Sequence, residues 1–97
     1  MATRTAVVAA EVGLHARPAS LFVEAVTQSG LPIKVGRPGG KAVDARSILM
    51  VMSLGVKRDE EVELSCDTEG TDADYAASVD EVLDRLVEML STDLDAV

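Results

Sequence analysis

The sequence predicts an α+β fold in which a four-stranded antiparallel sheet carries helices on one face. Segments that alternate apolar and polar residues indicate strands, and segments with apolar residues three and four positions apart indicate helices. Together they give the order strand, helix, strand, strand, helix, strand, helix. The four strands lie too close together along the chain for an all-parallel sheet, so an antiparallel arrangement is expected.

The first strand is predicted over residues 5–9, where apolar and polar residues alternate, although not purely. After Gly13 the spacing becomes helical. Pro18 suits the first turn of this helix because proline has no N–H to lose there, and Gly30 suits its end. The residues expected on the buried face of the helix are Ala19, Phe22, Val23 and Val26.

The middle of the chain is predicted to contain two short strands and a short helix. Residues 33–35 alternate, residues 37–40 are rich in proline and glycine, and a second short strand follows over residues 41–45. Residues 47–54 are apolar apart from two serines and are followed by Gly55. This pattern fits a two-turn helix with Ser47 as its N-cap.

The last strand and helix have the clearest patterns in the sequence. After a charged loop at residues 57–60, the apolar residues Val62, Leu64 and Cys66 alternate with polar ones. A long helix is then predicted, and Asp72 and Asp74 suit its positive N-terminus. Its apolar stripe consists of Ala76, Val79, Leu83, Leu86 and Leu90.

Length, charge and cysteine content restrict the class of protein. The 97 residues predict a single domain over residues 1–97, with a flexible tail at about residues 91–97. A net charge of -8 disfavours nucleic acid as a partner. The longest apolar stretch, residues 48–56, is far shorter than the ~18 residues of a membrane span. The single cysteine and the absence of an export signal predict a cytoplasmic protein.

His15 is the only histidine and stands immediately before the predicted first turn of a helix. A helix N-terminus presents unpaired backbone N–H groups and about half a positive charge, which together attract an anion. Arg17 adds a guanidinium that can bind phosphate oxygens through two hydrogen bonds. A lone histidine in this place is also typical of a simple polar helix start. Only its combination with Gly13, Arg17 and Pro18 indicates phosphate chemistry.

Other chemical roles have less support in the sequence. A hydrolase triad needs a positioned acid and a substrate pocket, which nothing near His15 suggests. The one histidine and the one cysteine lie far apart, and the acidic residues lack ligand spacing, so no metal site is predicted. Gly39 and Gly40 lack the lysine and hydroxyl residue of a phosphate-binding loop. We therefore expect neither a metal nor a cofactor.

Two segments carry recognisable motifs, residues 11–19, EVGLHARPA, and residues 46–55, RSILMVMSLG. They resemble the phosphorylation site and the second motif of the HPr family, the histidine phosphocarriers of the bacterial phosphoenolpyruvate-dependent sugar phosphotransferase system. The resemblance extends over about residues 3–90. It implies an HPr-like domain, an open-faced β-sandwich whose four antiparallel strands are covered by three helices, in agreement with the patterns above.

The resemblance also implies the function of the histidine. His15 would take a phosphoryl group on Nδ1 from phosphorylated enzyme I and pass it to the IIA unit of a sugar permease. Arg17 and the helix N-terminus at Ala16 and Arg17 would bind the phosphate. The protein would be a monomeric stoichiometric carrier, with no turnover of its own.

Ser47 matches a serine that an ATP-dependent HPr kinase modifies in many Gram-positive bacteria. Phosphate there would place negative charge on the surface that meets enzyme I and inhibit transfer. Serine is also a favoured N-cap, so a purely structural role stays open. The alternative function is a regulatory binding module in which phosphorylation of Ser47 is the main activity.

The helix after Ser47 is apolar nearly all round and too short to bury every side, which predicts an exposed partner surface. The resemblance implies that Ile48, Leu49 and Met52 form it, whereas core packing is expected to bury at least Val51 and Leu54. Met50 and Val12 depart from the usual family pattern. These departures concern the choice of partner and leave the chemistry of His15 and Arg17 unchanged.

Overall fold

The computed structural model describes residues 1–92. Seven elements follow one another in the predicted order, so the sequence prediction of strand, helix, strand, strand, helix, strand, helix is confirmed. In chain order they are β1 (Ala2–Val7), α1 (Ala16–Ser29), β2 (Lys34–Gly36), β3 (Val43–Asp44), α2 (Ile48–Ser53), β4 (Glu61–Cys66) and α3 (Ala73–Leu90).

The four strands form one sheet in the order β1-β4-β2-β3, and all three pairings are antiparallel. The β1–β4 pair is the longest, running from Ala2 opposite Cys66 to Val7 opposite Glu61. Helix α3 packs against β1 and β4, and α1 packs against both α2 and α3. The protein is therefore an open-faced α+β sandwich, as predicted.

Within residues 1–92, one aliphatic core lies between the sheet and the helices. Phe22 of α1, Leu64 of β4 and Leu83 of α3 are all completely buried in it. In β4 the expected alternation is observed, because Val62, Leu64 and Cys66 are buried while Glu61 and Glu63 are exposed. The Cys66 thiol is thus buried in the core, and this burial raises its pKa.

Strand β1 begins and ends earlier than the predicted range of residues 5–9. It covers Ala2–Val7, and the chain then continues with bonds outside the regular ladder. The Val8 N–H donates to the Glu60 carbonyl at 3.0 Å, and the Ala9 N–H donates to the Leu90 carbonyl at 3.0 Å. The end of β1 is therefore attached both to the loop before β4 and to the end of α3.

The strands in the middle of the chain are shorter than or shifted from the prediction. Strand β2 covers Lys34–Gly36 and β3 only Val43–Asp44, compared with predicted ranges of 33–35 and 41–45. A side chain at Gly36 would put a Cβ 2.8 Å from the Lys41 carbonyl oxygen. This close approach of the two backbones shows why glycine is needed as the β2–β3 connection begins.

The helix ends agree with the sequence signals. At the end of α1, Gly30 adopts a left-handed conformation with φ 71°. At the start of α2, the Met50 N–H donates to Ser47 Oγ at 3.3 Å. At the start of α3, the Tyr75 N–H donates to Asp72 Oδ1 at 2.8 Å. After α3, the Ser91 N–H donates to the Val87 carbonyl at 2.9 Å. Residues 93–97, where the rest of the flexible tail was predicted, lie outside the described residues.

None of the helices described between residues 1 and 92 has the length and apolar character needed to cross a membrane.

Candidate functional site

The loop that leads into α1 is fixed by close contact with the backbone that follows α2. The Leu14 N–H donates to the Val56 carbonyl at 3.0 Å, and the Leu14 side chain is buried. Gly13 has φ +74°, and a Cβ at this position would clash with the Val56 carbonyl and lie 2.8 Å from the Lys57 Cα. Glycine is therefore required here both by its conformation and by the lack of space.

His15 is the N-cap residue of α1 and its side chain is exposed. Its backbone is extended, with φ −143° and ψ 159°, and its side chain makes no capping hydrogen bond to the helix. The buried Leu14 before it anchors the chain in the core, so the imidazole stands at the surface beside the helix N-terminus. The predicted placement of His15 at an accessible helix start agrees with this geometry.

Ala16 has an unusual backbone conformation for a residue with a side chain. Its φ is +52°, and among the non-glycine residues of 1–92 only Asp59 shares a positive φ. A left-handed conformation costs an L-residue about 1–2 kcal/mol, and such strain persists only where the surrounding structure imposes it. The chain is therefore held in a strained turn directly after the histidine.

Arg17 lies in the first turn of α1 and is exposed. Its guanidinium takes part in none of the salt bridges found within residues 1–92. The next residue, Pro18, is buried and has no N–H, so the backbone donors nearest His15 belong to Ala16 and Arg17. These donors and the guanidinium are positioned at the same helix end as the imidazole, which is the arrangement suited to an anion.

Helix α2 forms the second part of the candidate site, and it packs against α1. Leu49 is the most exposed of its apolar residues at 72%, and Ile48 is also exposed. Met52 is half-buried and packs against the core, so it contributes less exposed surface than the sequence prediction assumed. Val51 is completely buried, as expected, whereas Leu54 is only half-buried against the core.

Ser47 lies half-buried at the N-terminus of α2, where its hydroxyl acts as the helix cap. Neighbouring Arg46 forms an ion pair with Asp44 at 3.1 Å, and this guanidinium lowers the pKa of the Asp44 carboxyl. The predicted capping role of Ser47 is therefore confirmed by its geometry.

Sequence reasoning did not assign two exposed apolar residues to this surface. Val12 is 50% exposed just before the histidine loop, and Met50 is exposed beside Leu49 on α2. Both were noted only as departures from a family pattern. A signal for Met50 was present, because a six-residue helix with five apolar side chains leaves several of them without core contacts.

Sequence reasoning also missed the side chains that support the loop after α2. Arg37 donates to Glu60 Oε2 at 2.8 Å and to the Gly55 carbonyl at 2.9 Å. This guanidinium and the Lys57 N–H lower the pKa of the Glu60 carboxyl. No local sequence pattern predicts a contact between residues 23 positions apart.

Among the described residues 1–92, no group of three His, Cys, Asp or Glu side chains is arranged to hold a metal ion. The fold and the site together define a small open-faced α+β sandwich protein that presents one histidine at the N-terminus of its first helix. Comparison with known proteins then identifies the family. The family model described as "PTS HPr component phosphorylation site" matches residues 2–92.

Two relatives and one solved structure show the same likeness over nearly the whole chain. Phosphocarrier protein HPr of Streptomyces coelicolor is 39% identical, covering 98% of this chain and 94% of the relative. Phosphocarrier protein HPr of Haloferax volcanii is 44% identical, covering 92% of each. The crystal structure of an HPr from Bacillus anthracis superposes with a TM-score of 0.74 at 29% identity, covering 92% of this chain and 95% of that one. The chain belongs to the HPr family of phosphocarrier proteins of the phosphotransferase system.

Proposed function

We propose that the protein carries a phosphoryl group on His15, which it accepts from phosphorylated enzyme I and passes to the IIA unit of a sugar permease. In this role it is a stoichiometric carrier in the cytoplasm, a monomer without turnover of its own, and residues 1–97 act as one domain. The observation that carries the proposal is the exposed His15 side chain, which stands at the N-terminus of α1 and does not cap the helix.

The chemistry requires a nucleophilic ring nitrogen and a place for the dianion. Nδ1 of a neutral imidazole attacks phosphorus as the bond to the donor breaks, so the phosphoryl group moves without another reactant. Backbone N–H groups at Ala16 and Arg17 and the Arg17 guanidinium then bind the phosphate oxygens. Helix-end stabilisation of about 1–2 kcal/mol holds the group without making transfer to the next protein too unfavourable.

The test is incubation with enzyme I and phosphoenolpyruvate, followed by intact-mass measurement and exposure to acid. We expect the mass gain of one phosphoryl group, lost in acid because the phosphorus–nitrogen bond is labile. His15→Ala removes the label, and Ser47→Ala, the matched control, keeps it. Label that persists in His15→Ala would exclude the proposal.

Partner proteins are proposed to dock on the exposed apolar side chains of α2 beside the histidine, with Ile48, Leu49 and Met52 as the contact residues. Leu49→Gln should raise the KM for transfer from enzyme I about tenfold with a smaller change in kcat, since a central contact contributes about 1–2 kcal/mol. Val7→Gln is the matched control, because Val7 is 44% exposed and lies on the outer face of β1. Equal KM values for the two variants would argue against this surface.

The alternative function, regulation through Ser47, is supported by the half-exposed position of this serine next to the apolar residues of α2. Incubation with an HPr kinase and ATP tests it. Acid-stable label that disappears in Ser47→Ala and remains in His15→Ala would establish the regulatory role, and absence of label on the wild-type chain would exclude it.

A further inference from the structure

The Arg37 side chain spans the gap between the β2–β3 connection and the segment after α2. One terminal nitrogen, Nη2, donates to the Gly55 carbonyl at 2.9 Å and to the Leu54 carbonyl at 3.2 Å. The other, Nη1, donates to Glu60 Oε2 at 2.8 Å. A single guanidinium thus holds both ends of the loop over residues 54–60.

Glu60 extends this attachment to the middle of the same loop. Its Oε1 accepts the Lys57 N–H at 2.7 Å, and its backbone carbonyl accepts the Val8 N–H at 3.0 Å. The Glu60 carboxylate therefore fixes the backbone at Lys57, while the Arg37 guanidinium fixes it at Gly55. Only Val56 lies between these two fixed points.

The fixed backbone is the surface on which the histidine loop lies. The Val56 carbonyl accepts the Leu14 N–H at 3.0 Å, and the Lys57 Cα leaves no room for a Cβ on Gly13. Leu14 directly precedes His15, and the strained Ala16 directly follows it. A continuous set of contacts therefore runs from the Arg37 guanidinium to the backbone that carries the imidazole.

We propose that Arg37 and Glu60 are positioning residues for phosphoryl transfer, which orient His15 by holding the backbone at Val56 and Lys57. The inference rests on the proposed function of His15. Neither side chain touches the reacting atoms, and their effect passes through the Leu14 hydrogen bond. Misplacement of a reacting group by as little as about 1 Å is enough to slow a reaction strongly.

The chain provides a matched control in a second bridging arginine. Arg4 donates to Asp84 at 2.8 Å and to Asp80 at 3.1 Å, and so joins β1 to α3. Like Arg37, it is partly exposed and holds two elements together through several hydrogen bonds. Its partners lie on α3 and make no hydrogen bond to the histidine loop within residues 1–92.

Arg37→Gln, Glu60→Ala and Arg4→Gln should be compared by transfer rate from enzyme I and by hydrogen exchange at the Leu14 amide. We expect Arg37→Gln and Glu60→Ala to lower kcat for transfer about threefold to tenfold and to speed Leu14 exchange beyond any change in global exchange. Arg4→Gln should leave both at wild-type values. Arg37→Lys keeps the charge with fewer donors, so it should recover part of the rate.

The outcomes separate this inference from the function on which it rests. Normal wild-type labelling with equal transfer rates and equal Leu14 exchange in Arg37→Gln and Arg4→Gln overturns the positioning role alone. A slowed rate that only follows the loss of global stability, with no specific change at Leu14, overturns it as well. If the wild-type chain takes no label on His15, the proposed function fails and the positioning role fails with it.

Discussion

Gly13 occupies a position where both the backbone conformation and the surrounding space exclude a side chain. Gly13→Ala would force a residue with a Cβ into φ +74° and push that Cβ against the backbone of Val56 and Lys57. We expect a loss of about 2–4 kcal/mol in the free energy of unfolding, because strain and overpacking add. Urea denaturation of the variant measures this loss.

Gly39 provides the control for the conformational part of that loss. Its φ of +75° nearly equals that of Gly13, but nothing lies within 4 Å of a Cβ built there. Gly39→Ala should therefore cost only the strain of about 1–2 kcal/mol. Equal losses in the two variants would show that the contact with the loop after α2 contributes nothing.

Glu60 should also contribute to the acid sensitivity of the protein. The Arg37 guanidinium and the Lys57 N–H lower its pKa below the ordinary 4.5, so the folded state favours the ionised carboxyl. Its stabilising contribution is present above the ordinary pKa and is lost as the pH falls through the lowered one. In urea denaturation from about pH 5 to about pH 2, Glu60→Gln should show a shallower fall in stability than the wild type. An unchanged slope would contradict this.

At the residue scale, the sequence predicted the positions of side chains that are set by neighbouring residues. It missed contacts between residues that lie far apart in the chain. The exposed place of His15 and Arg17 at a helix start followed from neighbouring Gly13 and Pro18. The contact between Arg37 and Glu60 did not, because it joins two loops whose contacting residues lie 23 positions apart in the sequence. Charged residues in loops are usually solvated, and nothing in their spacing distinguishes this pair.

The two helix caps should differ in strength. Asp72 caps the 18-residue α3 through a 2.8 Å bond and adds negative charge at the helix N-terminus. Ser47 caps the six-residue α2 through a longer bond of 3.3 Å. We expect Asp72→Ala to lower the free energy of unfolding by about 1 kcal/mol and Ser47→Ala by about 0.5 kcal/mol.

Ser78→Ala is the control for the cap comparison. Ser78 lies inside α3, where its hydroxyl donates to the Asp74 carbonyl at 3.0 Å instead of capping the helix. Its replacement by alanine should leave the stability unchanged or slightly raise it, since alanine is the better helix former. A loss as large as that of Asp72→Ala would mean that the capping bond is not the cause.

At the scale of elements, the helices and strands whose sequence pattern has a single dominant period were predicted most accurately. Strand β4 was predicted well because its alternation is pure, whereas β1 was placed too late along the chain. Arg4 lies on the inward side of β1 together with buried Ala6, and its charge is satisfied by Asp80 and Asp84 of α3. A charged residue on the inward face interrupts the apolar alternation that predicts a strand. Only the tertiary contact with α3 explains why Arg4 lies on that face.

The order of elements predicted the α+β class of the whole molecule, because β2 and β3 lie too close together along the chain for a crossover connection and an all-parallel sheet is therefore excluded. It did not decide the sheet order β1-β4-β2-β3, in which β4 lies between two strands that precede it in the chain. That order depends on registers such as Val35 opposite Leu64, which pair residues far apart in sequence. Alternation tells which residues face the core but not which strand lies beside which.

The net charge of -8 should make the stability of the folded protein increase with salt at neutral pH. Compact folding concentrates like charges, and salt screens this repulsion over distances beyond the Debye length of about 10 Å at 0.1 M. The same salt weakens ion pairs such as Arg4–Asp84 and Arg85–Glu81, but exposed pairs contribute at most about 1 kcal/mol each.

We therefore expect the urea midpoint to rise between about 50 and about 500 mM NaCl at pH 7. Near the isoelectric point of about 4.4 the rise should nearly vanish, because the net charge is then small. A midpoint that falls with salt at pH 7 would mean that the ion pairs outweigh the repulsion, and in that case Arg4→Gln should reduce the fall.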